Sequence, residues 1–215
     1  MSGNPWLQSL ESDLEEPEAP EQTTPVDRRV DLVPPVAPQP GVVLSRAADR
    51  FPRREIYTSL ERDTRVWWLG VHGGAGETTL EQLLEGSRAA GHAWPVIAPG
   101  EGPAARVVLV ARTHARGLRA AQLAAIEWAS GDVPVRLEGL VLLADAPGRL
   151  PKALKQFSRL VAGGVPRVWE LPWVEEWRLG APVSEDTAPK DVSRLLDHLR
   201  SACLVPTSST NHHPS

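Results

Sequence analysis

The chain has 215 residues, a formal charge of −4 and one cysteine. That length allows one domain with a sizeable core plus tails, and the charge balance excludes a strongly basic nucleic-acid binder. The single Cys203 excludes an intramolecular disulfide and suits a reducing cytoplasm, while no stretch approaches the ~18 apolar residues of a membrane span.

The start lacks the basic-then-apolar pattern of a signal peptide, so a cytoplasmic protein is expected. The charge is unevenly placed. Residues 1–50 hold nine acids and four bases, and the six acids between Glu11 and Glu21 meet no base. Prolines recur at 17, 20, 25, 34, 35, 38 and 40. Such a stretch buries too little surface to offset its ordering entropy, so 1–54 is expected to be a disordered acidic, proline-rich tail. Within it Trp6, Leu7 and Leu10 stand at helical spacing. They read either as a docking motif that folds on a protein partner or as a chance apolar triplet. Val42, Val43 and Leu44 are expected either to add a short strand or to pack on the domain.

Residues 55–204 are expected to form the domain, and 205–215 a second disordered tail. Arg50 to Thr64 is not decisive. Val66 to Val71 is an apolar run of strand length. The spacing then predicts a helix over 78–90 with Gly91 just past its end. Trp94 to Ala98 reads as a second strand, with Pro95 at its start. Arg106 to Ala111 is a continuous apolar run, typical of a strand covered on both faces. A helix follows over 116–130, with Leu118, Ala121, Ala125, Ile126 and Ala129 on one face. Leu140 to Ala144 is a strand. Pro151 to Ala162 is a helix with Leu154, Phe157, Leu160 and Val161 inward. Arg167 to Leu171 is the fifth strand. The last helix, 191–203, turns Val192, Leu195, Leu196 and Leu199 inward. Strands alternating with helices predict an α/β fold, a three-layer, mostly parallel, doubly wound sheet of about five strands. Its site should lie outside the carboxyl ends of the strands.

One stretch at that end carries chemistry. His72, Gly73, Gly74, Ala75, Gly76, Glu77, Thr78 and Thr79 follow the first strand and open the first helix. Glycines there admit positive φ and close approach of a ligand, and a helix start with convergent amides favours an anion. The loop resembles the deviant Walker A loop of ParA/MinD-type P-loop ATPases, K-G-G-x-G-K-S/T-T. It is also similar to an uncharacterised actinobacterial family, encoded on plasmids and integrative elements, that lacks the same lysines. The glycines and both threonines match. His72 stands at the signature lysine and Glu77 at the phosphate-binding lysine. The resemblance implies a P-loop-like fold over about 66–200 with a nucleotide site and ATP with Mg2+ as its ligand. The substitutions count against turnover. Two like charges about 4 Å apart repel by roughly 1 kcal/mol in water and about 4 at an effective dielectric near 20. Adding the lost attraction weakens binding or rate roughly a thousandfold, and phosphoryl transfer depends on positioned positive charge. The magnesium aspartate implied by the family has no counterpart, because the strand over 106–111 runs into Arg112. Asp145 matches the base-contacting side of the pocket by position.

Arg112, Arg116, Arg149 and Arg178 all follow strands, where arginine forks could hold an anion in place of the lysine or stand as solvated loop charges. His72 is either an acid–base group or structural. Histidines and Cys203 show no metal-ligand spacing, and no nucleophile motif is present. Trp169 reads as strand core. Trp173 and Trp177 cover a sheet edge or form a partner surface. Two functions follow. One is a non-catalytic pseudo-ATPase scaffold, an accessory protein of plasmid or conjugative transfer, partition or secretion. It would bind a protein partner through the tail or the Trp173 and Trp177 surface, or pair as a homodimer. The alternative is an ATPase that uses arginines in place of the Walker A lysine.

Overall fold

A computed structural model describes residues 50–61, 63–186 and 188–203. Strand β1 (Arg53–Ile56) pairs in parallel with β4 (Trp94–Ile97) as a separate ribbon. The main sheet joins β2 (Val66–Gly70), β3 (Ser87–Ala89), β5 (Arg106–Arg112), β6 (Arg136–Leu143) and β7 (Val168–Leu171) in the order β3-β2-β5-β6-β7, all parallel. In chain order this is 2-1-3-4-5, a doubly wound arrangement whose switch point lies between β2 and β5. The helices are α1 (Glu77–Leu83), α2 (Ala115–Ala129), α3 (Lys152–Ala162), the single turn α4 (Glu175–Arg178) and α5 (Lys190–Cys203).

Two cores make three layers. On one face Trp68, Val108, Val110, Val141 and Leu143 pack with Leu80 and Leu83 of α1, with Leu84 just after it, and with Val192, Leu195, Leu196 and Leu199 of α5. On the other, Trp67, Leu69, Val107, Leu109, Leu140 and Leu142 pack with Leu118 and Ala121 of α2, Val161 of α3, and Ile56 and Trp94 of the ribbon. Alternation along each strand divides the residues between faces. Both faces are covered, so β2 is buried along its whole length.

The expected α/β, five-stranded parallel sheet is present, with one exchange of members. Trp94 to Ala98 is not the second strand of the main sheet. Trp94 N–H donates to Pro52 O and Ala98 N–H to Ile56 O. Pro95 therefore faces the open side of the ribbon, where its missing N–H costs nothing. The place beside β2 goes to Ser87–Ala89, three residues with no apolar run. Its edge is fastened by the Trp68 Nε1 bond to Ser87 Oγ at 2.7 Å and by the Arg88–Glu61 ion pair. The helix expected over 78–90 accordingly ends at Leu83, and Gly91 turns the chain after β3 instead of ending a helix. Leu160 is another correction: it points outward and is 64% exposed, while Ser158 and Val161 face in. The ribbon is tied to α2 by Glu127, 2% exposed, whose Oε2 accepts from Phe51 N and Trp94 Nε1, each at 3.0 Å.

Candidate functional site

The glycine loop leaves the carboxyl end of β2 at the switch point. Gly74 has φ 72° and Gly76 φ 106°, conformations that glycine adopts without strain. A Cβ at Gly76 would stand 2.5 Å from Leu143 Cδ2, so the loop is pressed onto the end of β6. Ala75 is buried in the α1/α5 core, while Gly73 and Gly74 open to solvent.

Glu77 does not face the open side of this loop. β2 runs on past the end of β3, where Ala90 N–H makes the last bond, to Trp68 O. Gly70 N–H and C=O thus point to an edge with no strand beside them. Glu77 Oε2 accepts from Gly70 N at 2.9 Å, and His92 Nδ1 donates to Gly70 O at 2.6 Å. His92 Nε2 lies 3.7 Å from Glu77 Oε1. Glu77 is 9% exposed. The two side chains take over the role of a neighbouring strand, because buried main-chain polar groups need partners. The Glu77 carboxylate is thus bonded to the strand edge at Gly70. His92 has φ 59°, the one positive φ outside glycine among the described residues, and this bend after β3 brings its ring back to the strand end.

His72 closes the opposite side of the loop. Its Nδ1 lies 2.9 Å from Gly73 O, and its Nε2 accepts from Arg112 N at 3.0 Å. Only the neutral ring protonated on Nδ1 satisfies both. Burial holds its pKa below the usual histidine range. The bond to Gly73 O opposes that shift, and the charges of His114, Arg112 and His92 add to it. A neutral ring offers no positive charge to an anion. The His72 and His114 rings lie 4.8 Å apart, and His114 Nδ1 caps α2 by accepting from Gly117 N at 2.9 Å. Gly117 is required for this approach: a Cβ there would stand 2.4 Å from Arg112 O and 2.8 Å from His72 Nε2.

Arg112 is the expected arginine that reaches the loop. Its Nε donates to Gly74 O at 3.3 Å and its Nη1 to Ala144 O at 3.0 Å, so it clasps loop and β6 end together. Asp145 follows β6, with its N–H donating to Thr113 Oγ1 at 3.1 Å and its side chain exposed. Arg149 is exposed in the loop before α3, Arg116 on the first turn of α2 and Arg178 on α4. Thr78 is exposed and Thr79 half-buried in the first turn of α1. Trp169 is core in β7, Trp177 packs against the α1/α5 core, and Trp173 is half-buried. Trp6, Leu7, Leu10 and the segment 42–44 lie outside the described residues. Among the described residues no group of three or more His, Cys, Asp or Glu could hold a metal ion, and no helix is long and apolar enough to cross a membrane.

His92, His114 and Gly117 are the residues that the sequence reading missed. His92 follows Gly91 in the bend after β3, and histidine is an uncommon helix cap, so neither carried a signal.

A sequence model for a family of unknown function, DUF6668, matches residues 63–195. The chain belongs to the DUF6668 family. The match spans the glycine loop, the whole main sheet, helices α1 to α4 and the first six residues of α5. No curated protein and no solved structure matches this DUF6668 member.

Proposed function

We propose that the domain is a non-catalytic scaffold whose glycine loop is part of the fold, and that it works by binding a protein partner. The supporting observation is the commitment of residue 77. Where the loop's ParA/MinD-like pattern has a lysine for the β/γ-phosphates, this chain has a carboxylate bonded to Gly70 N inside the strand edge. The neutral His72 and the Arg112 clasp add to it: both side chains bond main-chain groups of the loop and of the neighbouring strand ends. Phosphoryl transfer depends on positioned positive charge, and neither Glu77 nor the neutral His72 supplies it to the loop. The loop's similarity to ParA/MinD proteins suggests a plasmid-transfer, partition or secretion machine in the cytoplasm as the setting.

The second reading is nucleotide binding through arginine, favoured by the solvent-open crest of Gly73 and Gly74 with Arg112 beside it. Isothermal titration of the full chain with ATP and magnesium separates the two. The scaffold reading expects a Kd above about 1 mM, near −4 kcal/mol, and phosphate release at the buffer rate. Micromolar binding with steady hydrolysis, both lost in Arg112→Ala, would overturn it in favour of the arginine-based ATPase.

A further inference from the structure

Among the described residues the outward side of the α2–α3 layer is basic, and the exposed Asp145 stands at the end of β6 where the loop to α3 begins. From Arg112 to Ala129 and from Ala146 to Ala162 the chain carries seven bases and one acid. That acid is Glu127, buried under the ribbon. Arg116, Arg119, Arg149, Lys152, Lys155 and Arg159 are all exposed. Apolar surface lies among them. Leu160 is 64% exposed, and an open groove of about 360 Å³ runs along α2, lined by Ala115, Arg116, Arg119, Ala120 and Leu123.

A segment of this same chain has the complementary chemistry. Trp6, Leu7 and Leu10 are apolar residues at helical spacing in the sequence, and the six acids of Glu11–Glu21 follow without a base. Residues 22–52 join this segment to β1. A linker of that length has an r.m.s. reach of about 30 Å if it behaves as a flexible coil. β1 lies on the same side of the sheet as α2 and is fastened to it through Glu127. We propose that residues 6–21 dock in cis on the basic α2–α3 face, with Trp6, Leu7 and Leu10 at the apolar groove and the acids over the arginines and lysines. Tethering sets an effective concentration on the order of millimolar, so modest contacts suffice. The docked segment withholds its apolar side chains from a protein partner until something displaces it. The inference is independent of the glycine loop and of the nucleotide reading.

The three lysines allow a direct test on the full chain. Lys152 and Lys155 lie on this face, and Lys190 opens α5 on the opposite layer. Zero-length carbodiimide coupling, read by peptide mass spectrometry on the monomer fraction, should join carboxylates of residues 11–21 to Lys152 and Lys155. The yield should exceed that at Lys190 by about fivefold or more. It should fall away in about 1 M salt. The variant carrying Arg116→Glu, Arg119→Glu and Arg159→Glu keeps every lysine and should lose the coupling. Alanine at Trp6, Leu7 and Leu10 should reduce it. If the arginine variant does not fold, the salt series on the unmodified chain still decides. Equal coupling to all three lysines, coupling confined to covalent dimers, or duplex DNA held by the full chain with coupling unchanged would each overturn the proposal.

Discussion

At the scale of single residues, the charge reversal at position 77 is a main-chain problem solved by a side chain. Gly70 N–H needs an acceptor because β3 has already turned away, and Glu77 supplies it. A buried donor left without a partner costs about 1–3 kcal/mol. Glu77→Ala should therefore lower the unfolding free energy by about that amount in urea melts. Glu77→Gln, which keeps an acceptor oxygen, should lose less. Glu77→Lys should be the most damaging, since it brings a cation to an N–H donor. A Glu77→Lys protein as stable as the unmodified one would refute this role. His72 makes a second residue-scale prediction. Its folded pKa lies below its ordinary value of 6.5, so the unfolded chain binds the proton more readily. Its contribution is fully present above the unfolded pKa and is lost as pH falls through that value toward the folded one. Between about pH 7.5 and 5.5 the urea midpoint should fall, and His72→Gln should make that fall shallower. An unchanged pH dependence in the variant would remove His72 from the account.

At the scale of elements, the exchange of β3 for β4 shows what a weak strand can do when its neighbour is strong. Ser87–Ala89 has little strand character of its own, but β2 offers a buried edge and Trp68 Nε1 finds Ser87 Oγ. The more apolar Trp94–Ile97 contains Pro95, and it settles in a two-stranded ribbon held to the domain by Glu127. Hydrogen bonds to a charged acceptor contribute about 1.5–3 kcal/mol each. Glu127→Ala should accordingly raise amide exchange in β1 and β4 while β2, β5 and β6 stay protected, and Glu127→Gln, which keeps a neutral acceptor oxygen, should raise it less. Uniform loss of protection across the main sheet would show that ribbon and sheet open as one unit.

At the scale of the whole molecule, the strand order decides which loops meet. Because β2 and β5 are neighbours, the glycine loop, His72, Arg112 and the capped start of α2 converge at one edge. Much of this was legible in the sequence. The apolar runs of β2, β5 and β6 exceed what any loop would carry, and the faces of α2 and α5 follow a helical period, so the α/β class, the parallel central strands and the place of the loop at their carboxyl end were fixed by local pattern. The glycines likewise announced a tight turn with positive φ. The direction of Glu77, the partners of His72, the need for glycine at 117 and the outward turn of Leu160 were not written there. Each depends on what a distant stretch leaves unfilled: β3 stopping short of Gly70, the Arg112 amide lying under the loop, α2 starting against β5. Periodicity records which side of an element is apolar, whereas hydrogen-bond partners are assigned only when separated segments come together and each buried polar group takes the nearest one available.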